Sequence, residues 1–166
     1  MKKITLVLFI ITFNLISCQQ SNQKKMLAQF TQDLFDETIP ANIIIDKYID
    51  IDLNKKSSLS LDERKDFAKN IIIETRKGKS ENMGWLIPNY EIKNIKKPKV
   101  DLLKKHKDLD SLGVASFTKY EDNIYILLDS NKERILQYFL LNDAKNKIIS
   151  FSLFIKSDNL AWFFVY

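Results

Sequence analysis

The side chains able to do chemistry are few in this chain and stand far apart. It holds one cysteine, Cys18, and one histidine, His106. With a single thiol no internal disulfide can form, and a zinc site would have to be built mainly from carboxylates, which that metal rarely accepts. His106 sits between Lys105 and Lys107 and reads as a solvated loop histidine. Asp50-Ile51-Asp52-Leu53-Asn54 opens like a calcium-binding loop, but Lys55 stands where the turn needs Gly and Leu61 where it needs a bidentate acid. Carboxylates gather at Asp33, Asp36 and Glu37 and again at Asp62, Glu63 and Asp66. On amphipathic helices such groups are solvated faces more often than acid–base pairs. Three scattered glycines form no phosphate-binding loop, and no G-x-S-x-G elbow occurs. The residues thus name no catalytic constellation, metal or cofactor.

The thiol has a different context. Met1-Lys2-Lys3 is followed by a nearly unbroken apolar run from Ile4 to Phe13. Ten residues of helix rise about 15 Å, half of the roughly 30 Å hydrocarbon core, so the run suits an export signal better than a membrane span. Leu15-Ile16-Ser17-Cys18 comes next, and this sequence resembles the lipobox of bacterial lipoproteins. The resemblance covers residues 1–18. It implies a diacylglyceryl thioether on Cys18, cleavage between Ser17 and Cys18, and a folded part held to a membrane. Two or three acyl chains anchor a protein durably, since each buried CH₂ contributes about 0.8 kcal/mol. No acid follows the cysteine closely, and by the same resemblance this favours the periplasmic face of the outer membrane over the inner membrane.

The division expected is a signal peptide over residues 1–17, a lipidated Cys18 with a polar tether through residue 25, and a single domain over residues 26–166. The chain has 166 residues, 45% of them hydrophobic and 28% charged, enough to bury one core without a covalent staple. Lys, Ile and Asn make up 58 of the 166 residues, the bias an A+T-rich coding sequence produces. Much of the formal charge of +5 follows from it, and Lys2 and Lys3 belong to the segment expected to be removed. So small an excess speaks against a nucleic-acid partner. Its one concentration is the stretch from Lys93 to Lys107, where Lys96, Lys97, Lys99, Lys104, Lys105 and Lys107 form a candidate contact for a polyanion such as lipid headgroups.

Helical spacing of Leu27, Phe30, Leu34 and Thr38 predicts a first helix. Pro40 opens a second, with Ile43, Ile44, Tyr48 and Ile51 as its buried stripe to near Asp52. Ser60-Leu61-Asp62-Glu63 is a capping box, predicting a third helix with Phe67, Ala68, Ile71, Ile72 and Thr75 inward and a stop at Arg76-Lys77-Gly78. A strand is expected around Tyr90 and Ile92, then four over Asn123–Asp129, Arg134–Leu141, Lys147–Ile155 and Leu160–Tyr166, joined by turns that only antiparallel neighbours can use. In the third of these four, Ile149, Phe151, Leu153 and Ile155 should share a core face; the last, apolar on both faces, should lie inside the sheet or be covered on both sides.

The class predicted is α+β, with three N-terminal helices packed on a curved antiparallel sheet of four to five strands. In element order this is similar to the cystatin-like and nuclear-transport-factor-like folds, which serve binding proteins and enzymes alike. The function expected is that of a membrane-anchored envelope lipoprotein whose domain binds a small apolar ligand or an envelope protein without catalysis. An inhibitor or immunity-type protein, and a small hydrolase or isomerase on the same scaffold, are the alternatives. Trp162, Phe163, Phe164 and Tyr166 are read as core residues, with an apolar pocket as their other possible use.

Overall fold

A computed structural model describes residues 20–51, 58–77, 95, 97–114, 118–157 and 160–165. Within them helices come first and antiparallel strands follow, so the molecule is α+β. Cys18, Ser17 and the signal segment, Asp52 to Asn54, Gly78, the strand expected at Tyr90 and Ile92, Lys96 and Tyr166 lie outside the described residues.

Helix α1 covers residues 20–35, and Leu27, Phe30 and Leu34 are fully buried along one stripe, as their spacing requires. It ends where the Asp36 carboxylate accepts the Thr38 backbone N–H (2.9 Å) and hydroxyl (2.6 Å), which leaves Thr38 outside the helix and exposed. At the other end the helix already includes residues 20–25, and buried Gln23 accepts the Tyr125 hydroxyl at 2.9 Å. The stretch expected as a free tether is therefore packed on the domain from residue 20 onward.

Helix α2 (Ala41–Tyr48) buries Ala41, Ile44, Ile45 and Tyr48. Ile43, expected inside, is exposed, because Ile45 takes the i+4 position of the stripe that Ala41 sets. The helix stops at Tyr48, short of Asp52, since Ile49 turns extended and bridges Ile148 in parallel, with the Asp50 N–H donated to the Ile148 carbonyl.

Helix α3 (Leu61–Arg76) begins with the predicted capping box: Ser60 Oγ accepts the Glu63 N–H, and Glu63 accepts the Ser60 N–H. Ala68, Ile71, Ile72 and Thr75 are buried as expected, while Phe67 stays at the surface. Arg76 does more than close its own helix. Its guanidinium donates to the carbonyls of Leu34 (2.6 Å), Asp33 (3.3 Å) and Asp36 (3.0 Å), capping the end of α1.

Strands β1 (Lys99–Leu102), β2 (Ile124–Leu128), β3 (Ile135–Leu141) and β4 (Ile148–Ser150) form an antiparallel meander in that order. β1 falls in the Lys-rich stretch, where no strand was expected; Val100 and Leu102 face inward and pair with Leu127 and Tyr125. One sheet face, carrying Tyr125, Leu127, Phe139 and Leu141, packs on the helices. The other, carrying Ile124, Ile126, Tyr138 and Leu140, is covered by Leu103, Val114, Leu153 and Ala161. β2 and β3 are buried along their whole length as a result. Their register shifts at Leu127/Leu128, which sends Leu136 to the helix side and Ile135 to the other.

The strand expected over Lys147–Ile155 is broken in two. Ser150 Oγ donates to the Ser152 carbonyl (3.0 Å) and accepts the Ser152 N–H (3.2 Å), turning the chain at Phe151. Phe151 joins the helix-side core, Leu153 joins the opposite core, and Ile155 is exposed, so the expected common face does not exist. Beyond the break, β5 (Leu153–Ser157) and β6 (Leu160–Phe163) make a separate two-stranded sheet. The last strand is thus at the periphery instead of inside the sheet, because it pairs with β5 alone.

Candidate functional site

Three lysines of the basic stretch are paired with acids in its own neighbourhood. Short 3₁₀ turns over Leu103–Lys105 and Lys107–Leu109 carry its lysines toward Thr118–Asn123. There Lys104 pairs with Asp122 at 2.5 Å and Lys107 pairs with Glu121, while Lys105 lies 3.5 Å from Asp101. Lys99 donates to the Ser130 carbonyl, and Lys97 is exposed. Exposed pairs of this kind contribute about 0–1 kcal/mol each, but they cancel the field that a polyanion would sense.

Asp101 is the hub of this region. Lys24 reaches it from α1 at 2.9 Å, the Leu102 N–H donates at 2.8 Å, and His106 Nε2 stands 3.4 Å away. Burial would raise the Asp101 pKa, but the Lys24 hydrogen bond and charge, the Leu102 N–H and His106 together hold it down at about 2. His106 is therefore a half-buried partner of Asp101 and not the solvated residue expected.

Asp33 also departs from the solvated-face reading. It is buried, with Oδ1 accepting from Gln29 (2.6 Å) and Oδ2 from Lys47 (2.9 Å) and the Tyr48 hydroxyl (2.5 Å). Burial acts to raise its pKa, but the three donors outweigh it and the net shift is downward. The same burial and the carboxylate raise Tyr48. This cluster fastens α1 to α2 and leaves no acceptor facing a cavity. Asp50 has a comparable task, accepting Asn142 Nδ2 at 2.8 Å to tie the exit of α2 to the β3–β4 turn. Among the described residues no three His, Cys, Asp or Glu approach closely enough to hold a metal ion, and no helix is long and apolar enough to cross a membrane.

Five concavities, of about 190 to 560 Å³, are all open grooves at the surface. Leu27, Phe30 and Leu34 fill the space between sheet and helices. Two of the residues expected as core or pocket lining, Trp162 and Phe164, instead join a surface strip. On the outer face of the β5–β6 hairpin Phe154 stacks on Trp162 (centroids 6.3 Å, 7° between planes), and Lys156 Nζ lies 5.5 Å from the Trp162 ring centre. Phe164, whose N–H donates to the Ser152 carbonyl, continues that face and meets Phe67 of α3 at 5.0 Å. Phe163 points inward with Ala161. Of nine large hydrophobic side chains exposed among the described residues, Phe154, Ile155, Phe164, Val165 and Phe67 belong to this one region, which scattered exposure would not produce. Phe154 was passed over because it lies in a run read as one strand whose core face was Ile149, Phe151, Leu153 and Ile155. Only the Ser-x-Ser break before it signals that the run ends.

Among the described residues, fold and surface thus define a small α+β protein with open grooves and an aromatic strip. Comparison of the chain with protein-family models, curated proteins and solved structures finds no match.

Proposed function

We propose that the chain is a lipoprotein of the bacterial cell envelope, held to the periplasmic face of the outer membrane by lipid on Cys18, whose domain binds an envelope protein without catalysis. The anchor is supported by the run Ile4 to Phe13 followed by Leu15-Ile16-Ser17-Cys18. The observation that carries the binding half is the strip of exposed Phe154, Phe164 and Phe67 with half-buried Trp162. Rigid rings on a hydrogen-bonded hairpin lose little conformational entropy when covered, which suits a protein surface better than a small ligand.

Labelled palmitate should enter the full chain and not its Cys18→Ala variant, and the variant should leave the membrane fraction. Equal labelling of the two would end the anchoring reading. A photoreactive residue in place of Phe154 in the membrane-held protein should form an adduct with a discrete envelope polypeptide. Adducts with lipid alone would end the binding reading.

A further inference from the structure

The described part of α1 starts two residues after Cys18 and is packed from its first turns, through Gln23 on Tyr125 and Lys24 on Asp101. Three peptide steps separate Cys18 from Ser21, a reach of at most about 11 Å. If Cys18 carries the anchor, whatever surface adjoins Ser21 lies close to the headgroup layer, which is about 5–7 Å thick on each side of the hydrocarbon.

That surface is a groove of about 490 Å³ between α1 and β1. Ser21, Lys24, Lys25 and Ala28 supply one wall at helical spacing; Lys99 and Lys132 stand on the other side. Among the described residues Asp101 is its only acid, and it is already held by Lys24 and Lys105. Lys25 and Lys132 are exposed and have no carboxylate partner among the described residues, while Lys99 has only the Ser130 carbonyl. Among the described residues the other concavities show no such excess: one is lined by Asp36 and Glu37 without a cation, and three mix both signs. A codon bias that scatters lysines does not by itself gather them in the groove beside the anchor point.

We infer that this groove seats the phosphates of anionic phospholipid headgroups in the leaflet that holds the anchor, fixing the domain's orientation on the membrane. The inference rests on the anchoring reading; it keeps Lys99 of the Lys93–Lys107 stretch as a membrane contact and leaves out Lys104, Lys105 and Lys107, which are paired with Asp122, Asp101 and Glu121.

The test uses the lipidated protein, reconstituted in vesicles of phosphatidylethanolamine with phosphatidylglycerol, with a photoreactive residue replacing Ala28. Crosslinking to phosphatidylglycerol is expected, and a Lys25→Gln, Lys99→Gln, Lys132→Gln variant should lower its yield at least about fivefold, given the contribution of each lysine near an anionic surface. Lys104→Gln with Lys107→Gln should leave it unchanged. Mass spectrometry of the amino-terminal peptide separates the possible failures. A lipid-free Cys18 overturns the anchoring reading and this one with it. A lipidated Cys18 with equal crosslinking in the triple variant, or with crosslinking as strong in phosphatidylcholine vesicles, overturns the groove alone.

Discussion

Phe30 and Phe154 are the same residue in opposite circumstances. Phe30 lies 5.2 to 6.0 Å from the rings of Tyr48, Phe139 and Phe151, and all four are at most 3% exposed. Phe154 also has an aromatic neighbour, in Trp162, yet is 58% exposed. Ring contacts are therefore not what separates the core from the hairpin. The helix-side face of the sheet has α1 laid over it, and among the described residues the outer face of β5–β6 has no second layer. Aromatic composition supplies material for a core; a covering element decides whether it becomes one.

Truncation should divide the two regions sharply. Phe30→Ala removes a ring wedged between sheet and helices and should cost about 3–5 kcal/mol in urea denaturation. A cost below about 1 kcal/mol would mean that α1 is not seated on the sheet as described. Next in size is Arg76→Ala, which strips three carbonyls at the end of α1 of a cationic donor and should cost about 1.5–3 kcal/mol. Arg76→Lys should recover only part of it, since an ammonium cannot reach all three in the same geometry.

What the sequence made legible follows the reach of the interactions involved. The Ser60–Glu63 box and the Leu27, Phe30, Leu34 stripe depend on residues within one helix, and both were readable. Asp33 was misread because the groups that bury it, Tyr48 and Lys47, come from another helix. The lysines from Lys104 to Lys107 looked like a cationic patch because Glu121 and Asp122 approach them only after the chain folds back. The division of Lys147–Ile155 was hidden for a different reason: alternation continues through Ser150-Phe151-Ser152, and it is the serine hydroxyl, not hydrophobicity, that turns the backbone there. Lys24 and Lys25 were assigned to a tether on composition alone, although positions 21, 24, 25 and 28 already had the spacing of one helix face.

Acid should probe the polar fasteners of the helix side. Asp33 and Asp101 both have folded-state pKa values below their ordinary 3.8, Asp101 at about 2. The stability each adds is present above that ordinary value and is lost as the pH falls through the folded-state value. The urea midpoint should therefore drop between about pH 4 and pH 2. Asp101→Asn should flatten the lower part of that drop and cost about 1 kcal/mol at neutral pH, after allowance for solvent screening of a partly exposed group. An unchanged profile in that variant would remove Asp101 as the hub joining α1 to β1.

The smallest stability effect belongs to the hairpin, where it is the most informative. Phe154→Ala gives up a stacking contact but almost no burial, so its denaturation midpoint should stay within about 0.5 kcal/mol of the parent. Trp162→Ala should cost somewhat more, because Trp162 is half-buried and carries the Lys156 contact. If the strip is a binding surface, both substitutions should abolish the envelope-protein adduct formed by a probe placed at Ile155, while Phe30→Ala should reduce that adduct only in proportion to the protein it unfolds. A large stability loss from Phe154→Ala would instead mean that the outer face is covered in the folded protein, and the contrast with Phe30 would disappear.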